Sequence, residues 1–132
     1  MKIYGGCHCG GITCQAEADP ENTFICHCTD CHTMSGSAFR TVVFIAEDDF
    51  DLLSGKLKTY IKTADSCAQR AMMFCPDCGT QIYATSTAKK SRIFGVRLGT
   101  SRQRDALIPR KQYYCYSRVA WYDQLSSVEE AS

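Results

Sequence analysis

Cysteine constrains this chain more than any other residue type. Ten of its 132 residues are cysteines, and seven of these fall in three tight groups. The groups are Cys7-His8-Cys9, Cys26-His27-Cys28-Thr29-Asp30-Cys31 and Cys75-Pro76-Asp77-Cys78. Cysteine at this density is typical of disulfide-rich secreted scaffolds or of metal-binding proteins. Hydrophobic residues make up 45% and charged residues 22% of the chain, so these cysteines are set in an otherwise ordinary globular composition.

The N-terminal segment favours metal binding over disulfide formation. Residues 1–7 contain no apolar stretch of the kind that a secretory signal peptide requires. We therefore predict a cytoplasmic protein, in which a reducing environment keeps cysteines as thiols. No apolar run approaches the roughly 18 residues that a membrane helix needs, so no membrane partner is expected.

The group Cys75-Pro76-Asp77-Cys78-Gly79 is typical of a zinc knuckle. Pro76 presets the first turn position, and Gly79 can adopt the positive φ that closes the turn. Such a turn directs both sulfurs at one point and supplies two of the four ligands of a tetrahedral zinc. The alternative is a redox-active C-x-x-C motif beside a helix, but no helical pattern follows Cys78.

Cys7 and Cys9 can supply the other two ligands of this zinc. One residue separates them, so on an extended chain their side chains point to the same side. Together with Cys75 and Cys78 they would form a site with four thiolates and no free position, which is typical of structural zinc. Other pairings of the three groups remain possible from spacing alone.

Cys26, Cys28 and Cys31 then remain as three candidate ligands of a second zinc. Three protein ligands leave one tetrahedral position open, as in catalytic zinc sites, and an incoming thiol could bind there as a thiolate. His27 alternates with its cysteine neighbours and is predicted to point away as a surface or packed side chain. His32 could instead close the site as a fourth ligand, whereas His8, by the same alternation, is not expected to bind metal.

The remaining pattern predicts an all-β fold in a single domain over residues 1–132, with a core of about residues 2–122. Short segments alternate between apolar and polar residues or are rich in β-branched residues. Strands are predicted at residues 12–17, 24–25, 39–45, 57–62, 68–74, 81–84, 92–98 and 112–118. In the segment 57–62, Leu57, Thr59 and Ile61 alternate with polar residues that include Lys62, so one face is predicted to be buried and the other solvated. Helical signal is confined to one turn at residues 29–34, closed by Gly36, and to residues 46–53.

The three isolated cysteines are assigned no ligand role. Cys14 shares the apolar side of a strand with Ile12 and Ala16, so it is predicted to be a buried thiol. Cys115 lies among tyrosines that are expected to pack, and a similar buried position is predicted for it. Cys67 follows a polar turn and is expected to be exposed.

Charge is distributed unevenly along the chain. The net charge is only +1, but residues 89–118 contain nine basic residues and one acidic residue. This stretch indicates a solvated basic surface or a site for a small anion. The low net charge and the lack of a basic tail make nucleic acid an unlikely partner.

The cysteine motifs resemble those of the glutathione-dependent formaldehyde-activating enzyme family, also called centromere-protein-V-like. The matching segments are Gly6-Cys7-His8-Cys9-Gly10, Cys26-His27-Cys28-Thr29-Asp30-Cys31 with Gly36, Phe74-Cys75-Pro76-Asp77-Cys78-Gly79-Thr80, Gly99-Thr100 and Trp121. They extend from about Lys2 to Trp121. The chain departs from the family pattern at Ser101-Arg102, where the family often has Leu-Asp, and at Gln112, where it often has His.

The resemblance implies a fold, two metal sites and a reaction. The fold would be the Mss4-like β-tent, built of small stacked antiparallel sheets clamped by zinc. Cys7, Cys9, Cys75 and Cys78 match the structural zinc ligands of the family, and Cys26, Cys28 and Cys31 match its catalytic zinc ligands. The implied activity is that of a carbon–sulfur lyase, which joins glutathione and formaldehyde in S-hydroxymethylglutathione.

Three functions are therefore compared. The first is an enzyme in which an open zinc site activates a thiol such as glutathione for addition to formaldehyde or another small aldehyde. The second is a module that binds zinc and glutathione without turnover. The third is a structural or nucleic-acid-associated module, which the charge does not favour. Among these, the sequence favours the enzyme.

Overall fold

The computed structural model describes residues 1–64 and 67–131, and in these residues the chain forms ten strands and one α-helix. The strands are Lys2–Gly6 (β1), Thr13–Glu17 (β2), Thr23–Cys26 (β3), Arg40–Ala46 (β4), Phe50–Ser54 (β5), Lys58–Thr63 (β6), Gln69–Phe74 (β7), Gln81–Ser86 (β8), Ile93–Arg97 (β9) and Lys111–Tyr113 (β10). The helix is Thr29–Ser35 (α1). Short 3₁₀ turns are Pro20–Asn22, Glu47–Asp49, Leu98–Thr100, Arg104–Ala106, Cys115–Ser117 and Tyr122–Ser127.

The strands form two sheets, which confirms the prediction of a β-rich fold. A small sheet has the order β1-β2-β5, and a large sheet has the order β10-β3-β4-β9-β8-β7-β6. Neighbouring strands are antiparallel except that β10 runs parallel to β3. This parallel pair departs from the expected antiparallel pattern. It brings a segment from late in the chain beside the second cysteine group.

The core includes side chains from both sheets. Ile3, Cys14 and Ala16 of the small sheet belong to one buried cluster with Ile45 and Val96 of the large sheet. Full burial of an aliphatic side chain of this size stabilises a fold by about 1.5–3 kcal/mol. Buried positions alternate along β2, so its core-facing side is defined, whereas β4 buries the adjacent residues Val42 and Val43 and so has buried residues on both faces.

Aromatic rings extend this core. Tyr83 and Phe94 stack with their ring centroids 4.0 Å apart, and Phe50 packs edge-on against both rings. Because Phe50 begins β5, its ring ties the small sheet to the centre of the large sheet. Within the described residues, no helix combines the length and apolar character needed to span a bilayer.

The prediction of a helix at residues 46–53 is wrong. The chain makes a single 3₁₀ turn at Glu47–Asp49 and then continues as β5, which pairs with β2. Pairing with β2 and burial of Phe50 against the core override the weak helical pattern. The strand expected at residues 112–118 is also too long, because Tyr114 adopts a left-handed φ of 58° and ends it.

The prediction that one face of residues 57–62 is buried is wrong in part. Leu57 packs against the core, but Ile61 is 45% exposed. The physical reason is position, because β6 is the edge strand of the large sheet. Lys62, expected to be solvated, is instead partly buried and pairs with Asp30 of α1 at 2.8 Å.

Candidate metal centres

The structure brings Cys7, Cys9, Cys75 and Cys78 together, and we call these four residues the four-cysteine group. Their sulfurs lie within 4.8 Å of one another. The Sγ atoms of Cys7 and Cys9 are 3.5 Å apart, and those of Cys9 and Cys75 are 3.8 Å apart. A tetrahedral zinc with Zn–S bonds of about 2.3 Å separates its sulfurs by about 3.8 Å. The group therefore has the donor set and the spacing that fit zinc.

Tight turns position these sulfurs. The backbone N–H of Gly79 donates to the carbonyl of Cys75 at 2.9 Å, and Gly79 adopts a φ of 80° that disfavours larger residues. On the other side of the group, the N–H of Ile12 donates to Cys7 Sγ at 3.2 Å. Backbone donors of this kind stabilise thiolates and orient them toward a metal.

Thr80 supports Cys78 from outside the group. Its hydroxyl lies 3.3 Å from Cys78 Sγ, and the backbone N–H of His8 donates to the same hydroxyl oxygen at 3.2 Å. The hydrogen bond from the Thr80 hydroxyl, together with the Thr80 backbone N–H, lowers the pKa of Cys78 to about 5. Cys78 can therefore supply a thiolate at neutral pH. The side chain of His8 is exposed.

The second cluster comprises Cys26, Cys28 and Cys31, which we call the three-cysteine group. Cys26 ends β3, Cys28 is the N-cap of α1, and Cys31 lies in the first turn of α1. The backbone N–H of Cys31 donates to Cys28 Sγ at 3.3 Å. The three sulfurs lie within 4.8 Å of one another. A strand end followed by a capped helix turn therefore gathers three ligands from six consecutive residues.

Within this group the pKa values of Cys26 and Cys31 shift in opposite directions. A hydrogen bond from Cys31 lowers the pKa of Cys26 to about 5, and the positive charge of Arg40 acts in the same direction. The same hydrogen bond raises the pKa of the Cys31 thiol. Arg40 lies directly opposite Cys26 in the β3–β4 register. These thiols could hold a metal ion beside a positive charge.

No histidine joins either cysteine group among the described residues. In the part of the chain that the structure describes, only three side chains make up the second group, and His32 is not among them. The structure gives no support to His32 as the residue that closes the site. His27 is fully buried, as one of the two expected alternatives had it. Its Nε2 lies 2.8 Å from Gln112 Oε1, and its ring packs edge-on against Tyr122.

The three isolated cysteines are placed as follows. Cys14 is buried and Cys67 is exposed, as expected. The expected burial of Cys115 is wrong, because the strand ends before it and leaves Cys115 exposed in a 3₁₀ turn. The neighbouring Tyr114 and Tyr116 are exposed as well, whereas Tyr113 packs edge-on against Phe24, so the expected packing of tyrosines is found in part.

Two buried arginines lie beside the three-cysteine group. Arg40 and Arg97 are each only 9% exposed, and both line an open cavity of about 330 Å³. Arg97 belongs to the basic stretch, but Arg40 was not singled out from the sequence. A single charge in the apolar strand segment Phe39–Ile45 is the signal that could have identified it. Other basic residues of the stretch form surface pairs, such as Arg92 with Glu47 and Arg110 with Glu21.

Comparison with known proteins identifies relatives of this chain. Residues 2–117 match the family described as glutathione-dependent formaldehyde-activating enzyme. The crystal structure of a Rhodobacter sphaeroides protein superimposes with a TM-score of 0.62 at 19% sequence identity, covering 85% of this chain and 99% of that one. At this identity the likeness shows a common fold. The comparison with curated proteins gives no match.

Proposed function

The chain belongs to the glutathione-dependent formaldehyde-activating enzyme family, and we propose that it adds the thiol of glutathione to formaldehyde at the three-cysteine group. In this reaction the sulfur forms a bond to the carbonyl carbon, and the thiol proton ends on the carbonyl oxygen. The product is S-hydroxymethylglutathione, and the reverse reaction is a carbon–sulfur lyase reaction. The observation that carries the proposal is the gathering of three sulfurs without a fourth ligand among the described residues.

The two cysteine groups are assigned different metal roles. Cys7, Cys9, Cys75 and Cys78 would hold a structural zinc, because four thiolates complete its coordination. Cys26, Cys28 and Cys31 would hold a catalytic zinc and leave one position for the substrate sulfur. When bound there, zinc would lower the pKa of the incoming thiol so that it is a thiolate at neutral pH.

The surrounding residues prepare the site for an anionic sulfur. Arg40 faces Cys26 across the β3–β4 pair, so its guanidinium favours negative charge on the sulfurs at this position. The Cys28 sulfur is held by the N–H of Cys31, and the helix that carries Cys31 is anchored to β6 by the Asp30–Lys62 pair. The three ligands are therefore fixed in position before a substrate arrives.

The test compares the wild type with Cys28→Ser and with Cys115→Ser as a matched control. Zinc-loaded protein is mixed with glutathione and formaldehyde, and formation of the adduct is followed by NMR exchange. We expect acceleration over buffer in the wild type and Cys115→Ser, and loss of acceleration in Cys28→Ser. Elemental analysis should give two zinc ions per chain in the first two proteins and one in Cys28→Ser.

A wild type that exchanges no faster than buffer would overturn the proposal. If calorimetry then still showed glutathione binding, the protein would be a binding module without turnover.

A further inference from the structure

Arg40 and Arg97 are buried cations whose hydrogen-bonding capacity is only partly used. Nε and Nη2 of Arg40 and Nε of Arg97 are buried and have no hydrogen-bond partner among the described residues. One guanidinium contact is made within the chain, from Arg97 Nη1 to the carbonyl of Gly95 at 3.0 Å. Within residues 1–64 and 67–131, neither arginine forms an ion pair with a carboxylate. The sulfurs of Cys26 and Cys31 offset part of this positive charge, but the free N–H donors of the two arginines have no acceptor among the described residues. Leaving buried donors unpaired is costly, so an anion supplied from outside would be a fitting partner for them.

Strand pairing places the two arginines side by side. Arg97 lies opposite Val42 in the β4–β9 register, and Arg40 is two residues from Val42 on the same face of β4. A Cβ at Gly95 would lie 3.1 Å from Val42 Cγ1, so glycine at this position lets β9 pack closely beside Val42. Burial lowers the pKa of Arg97 to about 9, and the charge of Arg40 adds to this effect. Both arginines are thus neighbours, and both are largely buried in the wall of one cavity.

The cavity beside them is open, and Arg40 in its wall lies opposite Cys26 of the three-cysteine group in the strand register. It is lined by residues of α1, β4, the turn after Cys78 and the end of β9, including Met34, Gly79 and Gly99. Because Arg40 lies opposite Cys26, and Arg97 lines the same cavity as Arg40, a molecule whose sulfur binds at the three-cysteine group could extend along this cavity toward both arginines. Glutathione is such a molecule, because it has a thiol in its centre and a carboxylate at each end.

We propose that Arg40 and Arg97 form a subsite for a carboxylate of the thiol substrate. This inference rests on the function proposed above and adds the group that selects the substrate. The planar fork of a guanidinium matches the two oxygens of a carboxylate, and such charge-assisted hydrogen bonds are strong in a buried site. The free donors on the two side chains are sufficient for a carboxylate to bind both.

The test measures binding by calorimetry, so it does not depend on turnover. Zinc-loaded wild type, Arg97→Gln and Arg40→Gln are titrated with glutathione and with its diethyl ester, which keeps the thiol and lacks both carboxylates. Arg102→Gln, at an exposed arginine, is the matched control. We expect the ester to bind the wild type about tenfold to a hundredfold more weakly than the acid. Arg97→Gln should weaken binding of the acid by a similar factor and leave binding of the ester unchanged.

Two further comparisons distinguish loss of the subsite from loss of folding in a variant. The ester comparison needs only the wild type, and the melting temperature of each variant is measured without ligand. Because Arg97→Gln removes a buried charge, its melting temperature should equal or exceed that of the wild type. Acid and ester binding equally well to the wild type would overturn the subsite. The subsite would also be overturned if Arg97→Gln weakened binding of the acid and the ester by the same factor, or if it lowered the zinc content. In either case the arginines would serve only the metal.

Failure of the subsite and failure of the proposed function give different results. If glutathione accelerates the reaction but acid and ester bind equally, the subsite is wrong and the function stands. If no acceleration is found but the wild type still prefers the acid, and Arg97→Gln abolishes that preference, the subsite stands and the function is wrong. If glutathione neither binds nor reacts, both are wrong.

Discussion

At the scale of single residues, Thr80 shows how a side chain that is no metal ligand can support a metal centre. Its hydroxyl lies beside Cys78 Sγ, and it also accepts a hydrogen bond from the segment that carries Cys7 and Cys9. One hydroxyl thereby couples the two halves of the four-cysteine group. Such outer contacts commonly contribute a factor of about 10–100 to metal affinity.

Thr80→Val should therefore weaken zinc binding at the four-cysteine group by about 10–100-fold. Without the hydroxyl, the pKa of Cys78 rises from about 5, so protons compete with zinc at higher pH. The variant should lose this zinc at a higher pH than the wild type does. The measurement is competition with a chromogenic chelator between pH 5 and pH 8. Thr63→Val, at an exposed position of β6, is the control, and an equal loss in both variants would contradict the role of Thr80.

The candidate ligands could be recognised from sequence because each of the three short motifs that carry them is local in the chain. Cys26, Cys28 and Cys31 lie within six residues, and their spacing already indicates a shared site. The arginines are a different case, because Arg40 and Arg97 become neighbours only through the pairing of β4 with β9. Sequence patterns report periodicity within a segment, and they carry no information on which distant strands pair.

At the scale of elements, the turn between β4 and β5 is attached to the start of β9. Glu47 accepts hydrogen bonds from Nε and Nη2 of Arg92 at 3.0 and 2.9 Å, and their backbones are bonded as well. The Arg92 guanidinium holds the pKa of Glu47 at about 2. The pair closes the turn where a helix had been expected.

Glu47→Gln should make stability less dependent on pH. The folded-state pKa of Glu47 is about 2 and the unfolded value is about 4.3, so the carboxylate contributes fully above about pH 4.3. This contribution is lost as pH falls toward 2. The difference in unfolding free energy between wild type and variant should therefore be largest near neutral pH and shrink between pH 4.3 and pH 2. Urea unfolding at several pH values measures it, with the exposed Asp48→Asn as control. A difference that stays constant with pH would show that the pair does not titrate as described.

Strands were predictable where one face meets the core. The alternation in β2 matches its burial, and β4 was predictable from its β-branched and aromatic residues. Alternation fails in β6, because an edge strand can carry the same pattern without a partner for its apolar residues. The parallel β10–β3 pair could not be predicted either, since three residues of strand carry too little pattern to specify a partner.

At the scale of the whole molecule, the four-cysteine group joins parts of the chain that are far apart in sequence. Cys9 and Cys75 are separated by 66 positions, and their sulfurs are 3.8 Å apart. An ion bound at this group would therefore close a long loop and connect the small sheet to the turn between β7 and β8. Structural zinc of this kind can contribute on the order of 10 kcal/mol to folding.

Cys75→Ser should destabilise the whole fold, whereas Cys28→Ser should spare it. Each variant is expected to lose one zinc ion, but only loss at the four-cysteine group opens the long loop. Circular dichroism should show a lower melting temperature, or no folded state, for Cys75→Ser and a melting temperature near that of the wild type for Cys28→Ser. A reversed order would mean that the metal roles assigned to the two groups are exchanged.

The three-cysteine group comes from one short segment, whereas the four-cysteine group comes from two distant segments, and this difference has a consequence for biosynthesis. Once residue 31 has been synthesised, all three cysteines of the three-cysteine group are present in the nascent chain. Cys75 and Cys78 of the four-cysteine group are still untranslated at that point. The nascent polypeptide could thus acquire its first ion early and its second only after residue 78 emerges. We expect metal scarcity during translation to trap chains at the stage between these two events.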